Sequence, residues 1–319
     1  MSWFWIAACA TVCWGCADMF YKLGADERDP YSHLKTTIFV GLVFGIHAIY
    51  TLIFGDIGFD WRNLLYYAPV SAMYIGSMII GYLGLRYLEL SVSSPVQNCS
   101  GALACLLGIV ILGELPESLL SWAGIVACCC GVAMLGVFEK QKRDADQKLD
   151  ESERKYHVGI VAFLLPIGYC VIDTLGTFLD DPCLNMDTTW LVNVTEETIE
   201  DVGNTAYELT FLLVALVLLV YLMFRDRDKS KRRTQKRMPN LVRFIAAIFE
   251  ALGQFAYVHV IGGNAVVAAP MIASYCMVSV VLSRIFLREK LPREQYACVG
   301  LAFLGIVLLG IADGLAGNF

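Results

Sequence analysis

The chain has almost no charge where its apolar runs are longest. Of its 319 residues only 17% are Asp, Glu, Lys or Arg, against 57% hydrophobic, and those charges gather in a few short stretches. A soluble domain of this length spreads charge over its whole surface, so that class is excluded. No His-Glu-x-x-His run occurs among its four histidines, which removes the zinc-protease signature. No basic patch interleaved with aromatics occurs either, so nucleic acid is not an expected partner. The stretch Met1 to Ala10 lacks a basic start and is apolar from the outset, so no cleavable signal peptide is expected there. Of the twelve cysteines, only Cys183 falls outside an apolar run, leaving no loop partner for a disulfide. Cys128, Cys129 and Cys130 point three ways around a helix and cannot close one metal site. Cys9, Cys13 and Cys16 share a face but read as small packing residues. No metal and no cofactor are expected.

What is present is a series of stretches of about twenty residues each, the length that crosses a hydrocarbon core as a helix. They run over roughly 3–23, 34–54, 65–88, 92–112, 118–138, 158–179, 205–224, 241–261, 264–287 and 294–313. The fold class expected is therefore an all-α membrane protein with ten transmembrane helices, multi-pass in the lipid bilayer of the plasma (inner) membrane.

The runs repeat. Glu114-Leu115-Pro116 and Glu289-Lys290-Leu291-Pro292 each follow one long apolar run and precede another rich in glycine. Pro116 stands eight residues before Gly124, and Pro292 eight before Gly300. A unit written twice divides the chain into residues 1–138 and 158–319, joined by a charged linker at 139–157. Internal repeats of this kind belong to secondary transporters, which build a central site between related halves. Gly124, Gly131 and Gly136, with Gly300, Gly305 and Gly310, allow close helix contact, either within the chain or across a homodimer.

Charge sets an expected orientation. Residues 180–203 hold seven Asp or Glu and no Lys or Arg, whereas 225–239 hold eight Lys or Arg. One helix separates them, so they lie on opposite faces, and the positive-inside rule puts 225–239 and 139–156 in the cytoplasm. With ten helices, both termini then lie outside.

Ionisable groups within spans cost about 2.5–3.5 kcal/mol each on the insertion scale and need a reason to be there. Four stand out: Asp18, Asp173, Glu208 and Glu250. Asp18 and Asp173 occupy matching places in the first helix of each half, with Trp14 and Tyr169 four residues earlier and so one turn away on the same face. Desolvation disfavours the ionised form, so such a carboxylate can take up a proton, or it can hold a cation beside the aromatic ring. Asp18 and Asp173 are the expected proton-coupling residues, although Lys22 offers Asp18 a local ion pair instead. Glu250 sits midway along its run with Gln254 one turn on and Tyr257 near the same face. Glu208, near the end of its run, reads as a group reaching the interface. Pro95 and Pro270 fall at corresponding points and loosen their helices, with Asn98 and Tyr275 following as cavity hydrogen-bonders. The expected substrate-binding set is Trp14, Asn98, Tyr169, Glu250, Gln254, Tyr257 and Tyr275. The spans carry no Lys/Arg cluster of the kind phosphorylated substrates need, so a neutral or cationic small molecule is expected, with protons as coupling partner.

Trp14-Gly15, Leu112-Gly113-Glu114 and the paired Glu-Leu-Pro-like hinges resemble the drug/metabolite transporter superfamily, in its ten-helix EamA-like branch. That resemblance implies two inverted five-helix repeats around a central cavity, and secondary transport of small metabolites, often against protons. It also implies termini in the cytoplasm, opposite to the charge reading. The second half departs from the pattern, with Tyr169-Cys170 for Trp-Gly and Arg288-Glu289 for Gly-Glu. Two rival classes remain. An intramembrane aspartyl-type enzyme would use Asp18 and Asp173, though neither lies in a Gly-x-Gly-Asp motif. A non-transporting membrane scaffold would account for the long acidic loop.

Overall fold

The computed structural model describes residues 3–26, 29–88, 90–113, 115–116, 118–149, 160–225, 239–261, 265–288 and 293–315. Glu114, most of the basic 225–239 stretch and the second hinge, 289–292, fall outside them. The described residues are helical, with no strand among them. In chain order the helices are α1 Trp3–Gly24, α2 Ser32–Phe54, the single turn α3 Asn63–Tyr66, α4 Ala68–Gly84, α5 Leu90–Leu107, α6 Leu119–Leu149 and α7 Ile160–Leu184. They continue as α8 Ile199–Arg225, α9 Pro239–Ile261, α10 Ala265–Ala273, α11 Tyr275–Leu282 and α12 Arg293–Leu315. Among the described residues, six helical stretches are long and apolar enough to cross a membrane, and Ala68–Gly84, Leu119–Met134 and Tyr296–Leu309 are shorter apolar helices. This is an integral, multi-pass membrane protein.

The distribution of side chains agrees with a lipid surround. Ile46, Ile53, Leu213, Val217 and Val220 point outward, while Asp18, Asn98, Glu208, Glu250 and Gln254 are buried. Hydrocarbon tolerates the first set outside and forces the second inward to find partners.

Packing is dominated by four pairs: α1 with α9, α4 with α7, α2 with α8, and α6 with α12. The glycines of the last pair do what small residues do at a membrane interface. A Cβ on Gly131 would come within 2.7 Å of Ala302 Cβ, and one on Gly305 within 2.6 Å of Cys128 Sγ. Those glycines thus serve contact between helices of one chain.

Loops mark the two ends of the bundle. At one end Asn63 exchanges two hydrogen bonds of 2.9 Å with the backbone of Val192, and Trp190 Nε1 donates to Tyr66 O. At the other, Arg243 donates to Gly24 O and Ser32 Oγ, while Lys22 Nζ donates to Leu85 O at 3.0 Å and Leu88 O at 2.6 Å.

Two expectations need correction here. The acidic loop does not begin at 180: α7 runs on to Leu184, so Asp180, Asp181 and Cys183 lie in its last turns and are buried. A pair of acids followed by Pro182 reads as a helix end, but burial against neighbouring helices holds the turn. The apolar part of the fifth run is Leu119–Met134, as its charge pattern implies, and α6 carries the helix on past it through the charged stretch to Leu149. The two prolines also act differently. Helix α5 passes through Pro95 unbroken, whereas the helix after Pro270 breaks at Ser274, whose Oγ donates back to Pro270 O at 3.0 Å.

Candidate functional site

Helices α1, α4, α5, α7, α8, α9, α10 and α11 surround a cavity of about 90 Å³. Trp14, Asp18, Asn98, Tyr169, Asp173, Glu250, Gln254, Tyr257 and Tyr275 all line it. The residues singled out in the sequence, scattered over more than two hundred positions, are thus brought to one place. Tyr21, Tyr74, Tyr82, Gln97 and Tyr207 complete much of the wall, and no Lys or Arg is among the lining residues.

Each carboxylate is held by hydroxyl groups. Asp18 Oδ2 accepts from Ser94 Oγ at 2.6 Å and from Ser279 Oγ at 2.8 Å. Lys22, one turn along, directs its ammonium to the carbonyls of Leu85 and Leu88, so a serine pair from distant helices supports Asp18. Asp173 accepts from Ser77 Oγ at 3.3 Å on Oδ1 and from Ser100 Oγ at 2.7 Å on Oδ2. Glu250 Oε2 accepts from Tyr21 OH at 2.9 Å. Hydroxyl donors stabilise a buried carboxylate without adding a fixed cation, so each can exchange its charge with a proton or a ligand.

Aromatic rings shape the walls. Trp14 packs 5.2 Å from Tyr257 and 5.8 Å from Tyr275, centroid to centroid. Its ring lies on Gly253 of α9, where any Cβ would overlap it. Tyr169 lies in the same way on Gly81 of α4, with 2.8 Å left for a Cβ against its Cδ2. The two matched aromatics thus each occupy the space freed by a glycine on a helix of the other half. Asn98 Nδ2 donates to Ser94 O at 2.8 Å, which keeps it on the cavity wall of α5.

One functional candidate escaped the sequence reading. Asp180 is completely buried and accepts from the hydroxyls of Tyr67 and Tyr74, the latter at 3.2 Å. Tyr74 OH also meets Tyr257 OH at 2.7 Å, which links Asp180 to the cavity wall. The signal was available: Tyr169, Asp173, Thr177 and Asp180 follow helical spacing along one face of α7. Glu208 also needs correction. It does not reach the interface but is buried, with both oxygens on His47 Nδ1 at 2.9 and 2.8 Å and Asn204 Nδ2 at 3.2 Å. It lies apart from the residues lining the cavity.

Comparison with known proteins gives three findings. The model of the EamA-like transporter family matches residues 1–137 and 197–311. The unmatched stretch holds α7, and with it Tyr169, Asp173 and Asp180. No curated protein matches the chain. A solved crystal structure superposes with a TM-score of 0.61 at 13% sequence identity, covering 97% of this chain and 96% of that one. At that identity the likeness speaks for the fold alone.

Proposed function

The chain belongs to the EamA-like transporter family, a branch of the drug/metabolite transporter superfamily, and from that premise we propose a secondary active transporter with ten transmembrane helices in two inverted five-helix repeats. It moves a small neutral or cationic organic metabolite by alternating access, coupled to protons or by exchange. The repeats are residues 1–138 and 158–319, with 139–157 between them. Trp14, Asn98, Tyr169, Glu250, Gln254, Tyr257 and Tyr275 contact the substrate, and Asp18 and Asp173 carry the proton.

One observation carries this reading. Those nine residues line a single buried cavity with three carboxylates, several aromatic rings and no lining Lys or Arg. Such a lining suits a cation or a neutral polar solute and repels an anion. Alternating access then requires the walls to part on one side of the membrane and next on the other.

The inverted repeat is supported by the packing. Exchanging the halves turns the α1–α9 pair into α7–α4 and leaves α2–α8 and α6–α12 unchanged. The segments Gly108–Leu112 and Ser283–Leu287 are both π-helical, and each ends in a left-handed residue, Gly113 or Arg288. An odd number of spans per repeat then sets the halves upside down to one another. For the aspartyl-enzyme alternative there is no comparable support, since Asp18 and Asp173 are each held by their own serine pair.

The test is solute uptake into liposomes carrying the purified protein against protein-free liposomes. Glu250→Gln should express and fold yet take up substrate several-fold more slowly, because a charge-assisted contact is lost. Wild-type uptake from that variant would remove Glu250 from the site. For orientation, we place the acidic stretch outside and both termini with it, in the plasma (inner) membrane. An impermeant thiol reagent should label Thr195→Cys but not Ser230→Cys in a cysteine-free background, and the reverse pattern would invert the protein.

A further inference from the structure

The cavity leaves hydrogen-bonding capacity of both kinds unused along its α1/α9 wall. Both serines that hold Asp18 donate to Oδ2, and among the described residues none donates to Oδ1. Tyr21 donates to Glu250 Oε2, and among the same residues none donates to Oε1. Asp173 differs, with one serine on each oxygen. Two buried donors on the same wall are also unused: Trp14 Nε1, which lies near Glu250 without closing a hydrogen bond to it, and Gln254 Nε2. Gln254 is only 5% exposed, and buried donors of this kind normally find an acceptor. The four groups are neighbours by construction. Trp14 lies one turn from Asp18, Gln254 one turn from Glu250, and the Trp14 ring sits on Gly253 beside Gln254.

We infer that the substrate is an organic ammonium ion carrying an uncharged hydrogen-bond acceptor, a carbonyl or hydroxyl, a few bonds from its nitrogen. The inference rests on the transporter reading of this cavity and names the substrate class for it. The ammonium N–H groups go to Asp18 Oδ1 and Glu250 Oε1, beside the rings of Trp14 and Tyr257. The acceptor receives Trp14 Nε1–H and Gln254 Nε2–H. The acceptor must be uncharged. Both of its donors are neutral, three carboxylates line the same cavity, and no lining Lys or Arg offsets a fourth. An amino amide or amino alcohol therefore fits, whereas the zwitterionic amino acid of the same size brings an anion into a negative site. A bare alkylamine satisfies the carboxylates but leaves the two donors unpaired, which a site built to hydrogen-bond rejects strongly. At Asp18 the substrate and a coupling proton then compete for one carboxylate, giving exchange.

The experiment measures binding to the purified full-length protein by thermal shift and by tryptophan fluorescence, with four probes on one frame. Leucinamide has ammonium and carbonyl, isoamylamine ammonium alone, 4-methylpentanamide carbonyl alone, and leucine an ammonium with a carboxylate in place of the amide carbonyl. Leucinamide should bind about tenfold or more tightly than each of the others, the worth of one or two buried hydrogen bonds. Gln254→Leu should bring leucinamide down to the level of isoamylamine and leave isoamylamine unchanged. Gln254→Met serves the same purpose should the first variant fold poorly. Equal or tighter binding of leucine or 4-methylpentanamide, an equal loss of both amines in the Gln254 variants, or no binding by leucinamide overturns the inference. Uptake of a mixed solute pool by the reconstituted protein is scored separately. Uptake without leucinamide binding sinks the substrate class alone, and no uptake of any solute sinks the transport reading.

Discussion

Asp18 and Asp173 hold matching places on α1 and α7, yet their surroundings are built differently. Asp18 is held by Ser94 of α5 and Ser279 of α11, one from each half, and both reach the same oxygen. Asp173 is held by Ser77 of α4 and Ser100 of α5, both from the first half, one on each oxygen. In the proposed repeat the position of a carboxylate along a helix is thus shared, but not the partners it meets. The outcome is one aspartate with a free acceptor and one whose two oxygens are both engaged. The flanking segments diverge in the same manner. Helix α5 carries Pro95 without a break, while its counterpart splits into α10 and α11 at Ser274. The break lies beside Tyr275 and shortly before Ser279, the serine that reaches across to Asp18.

The largest expected effects separate the two aspartates. Asp173→Asn should abolish accumulation driven by a pH gradient and leave solute exchange in place, because its oxygens are occupied by serines rather than by substrate. Asp18→Asn should also weaken substrate binding, by roughly ten- to a hundredfold, the worth of a charge-assisted hydrogen bond. The measurement is uptake and counterflow in liposomes with and without a pH gradient. If both variants accumulate solute as the wild type does, neither residue carries the coupling proton, and Glu250 is left as the carrier.

A smaller effect separates the ends of the two π-helical segments. Gly113 takes φ 74° and Arg288 takes φ 59°, a left-handed conformation that costs a residue with a side chain about 1–2 kcal/mol. Gly113→Ala should therefore lower stability by about 1 kcal/mol, read as a shift in melting temperature. Arg288→Gly relieves that strain but adds chain entropy to the unfolded state, so its net change should be under about 1 kcal/mol. A large loss from Arg288→Gly would show that the arginine side chain does more than occupy the turn.

The smallest effect lies outside the membrane. Asp60 lies at the protein surface, and bonds from the Arg62 side chain and backbone, with Asn193 adding to them, hold its carboxyl down to about 2. A lowered carboxyl contributes stability above its unfolded value near 3.9 and loses it as pH falls toward 2. Asp60→Asn should leave the melting temperature at pH 7 almost unchanged, since water screens so open a pair. The small wild-type advantage should fade between about pH 4 and pH 2, and an advantage that grows on acidification would contradict the assignment.

Much of this architecture was readable in the chain because lipid simplifies the code. A run without charge must be a helix, and an acid within it must face protein, so Asp18, Asp173 and Glu250 announced themselves. Their companions at helical spacing, Trp14, Tyr169 and Gln254, could be placed by counting turns, and the structure gathers all of them around one cavity. Their roles remain proposals. What could not be read were contacts between distant segments. Ser279 reaches Asp18 across 261 positions and Glu208 finds His47 across 161, and neither pairing leaves a local trace. Asp180 was lost for a different reason. Two adjacent acids and a proline mimic the start of a loop, and only Tyr67 and Tyr74, more than a hundred positions earlier, keep them inside a helix.

The seating of Trp14 on Gly253 and of Tyr169 on Gly81 has a mechanical consequence. Each contact keys a helix of one half into a helix of the other, along the tightly packed pairs α1–α9 and α4–α7. Pulling the two halves apart as blocks would unseat both rings at once and open two voids in hydrocarbon. In the proposed cycle the parts that tilt against one another are therefore composite arms, each drawing on both halves, with the cavity carboxylates shared between them. In that cycle the proposed linker at 139–157 is a seam in the sequence and not a joint between the moving parts.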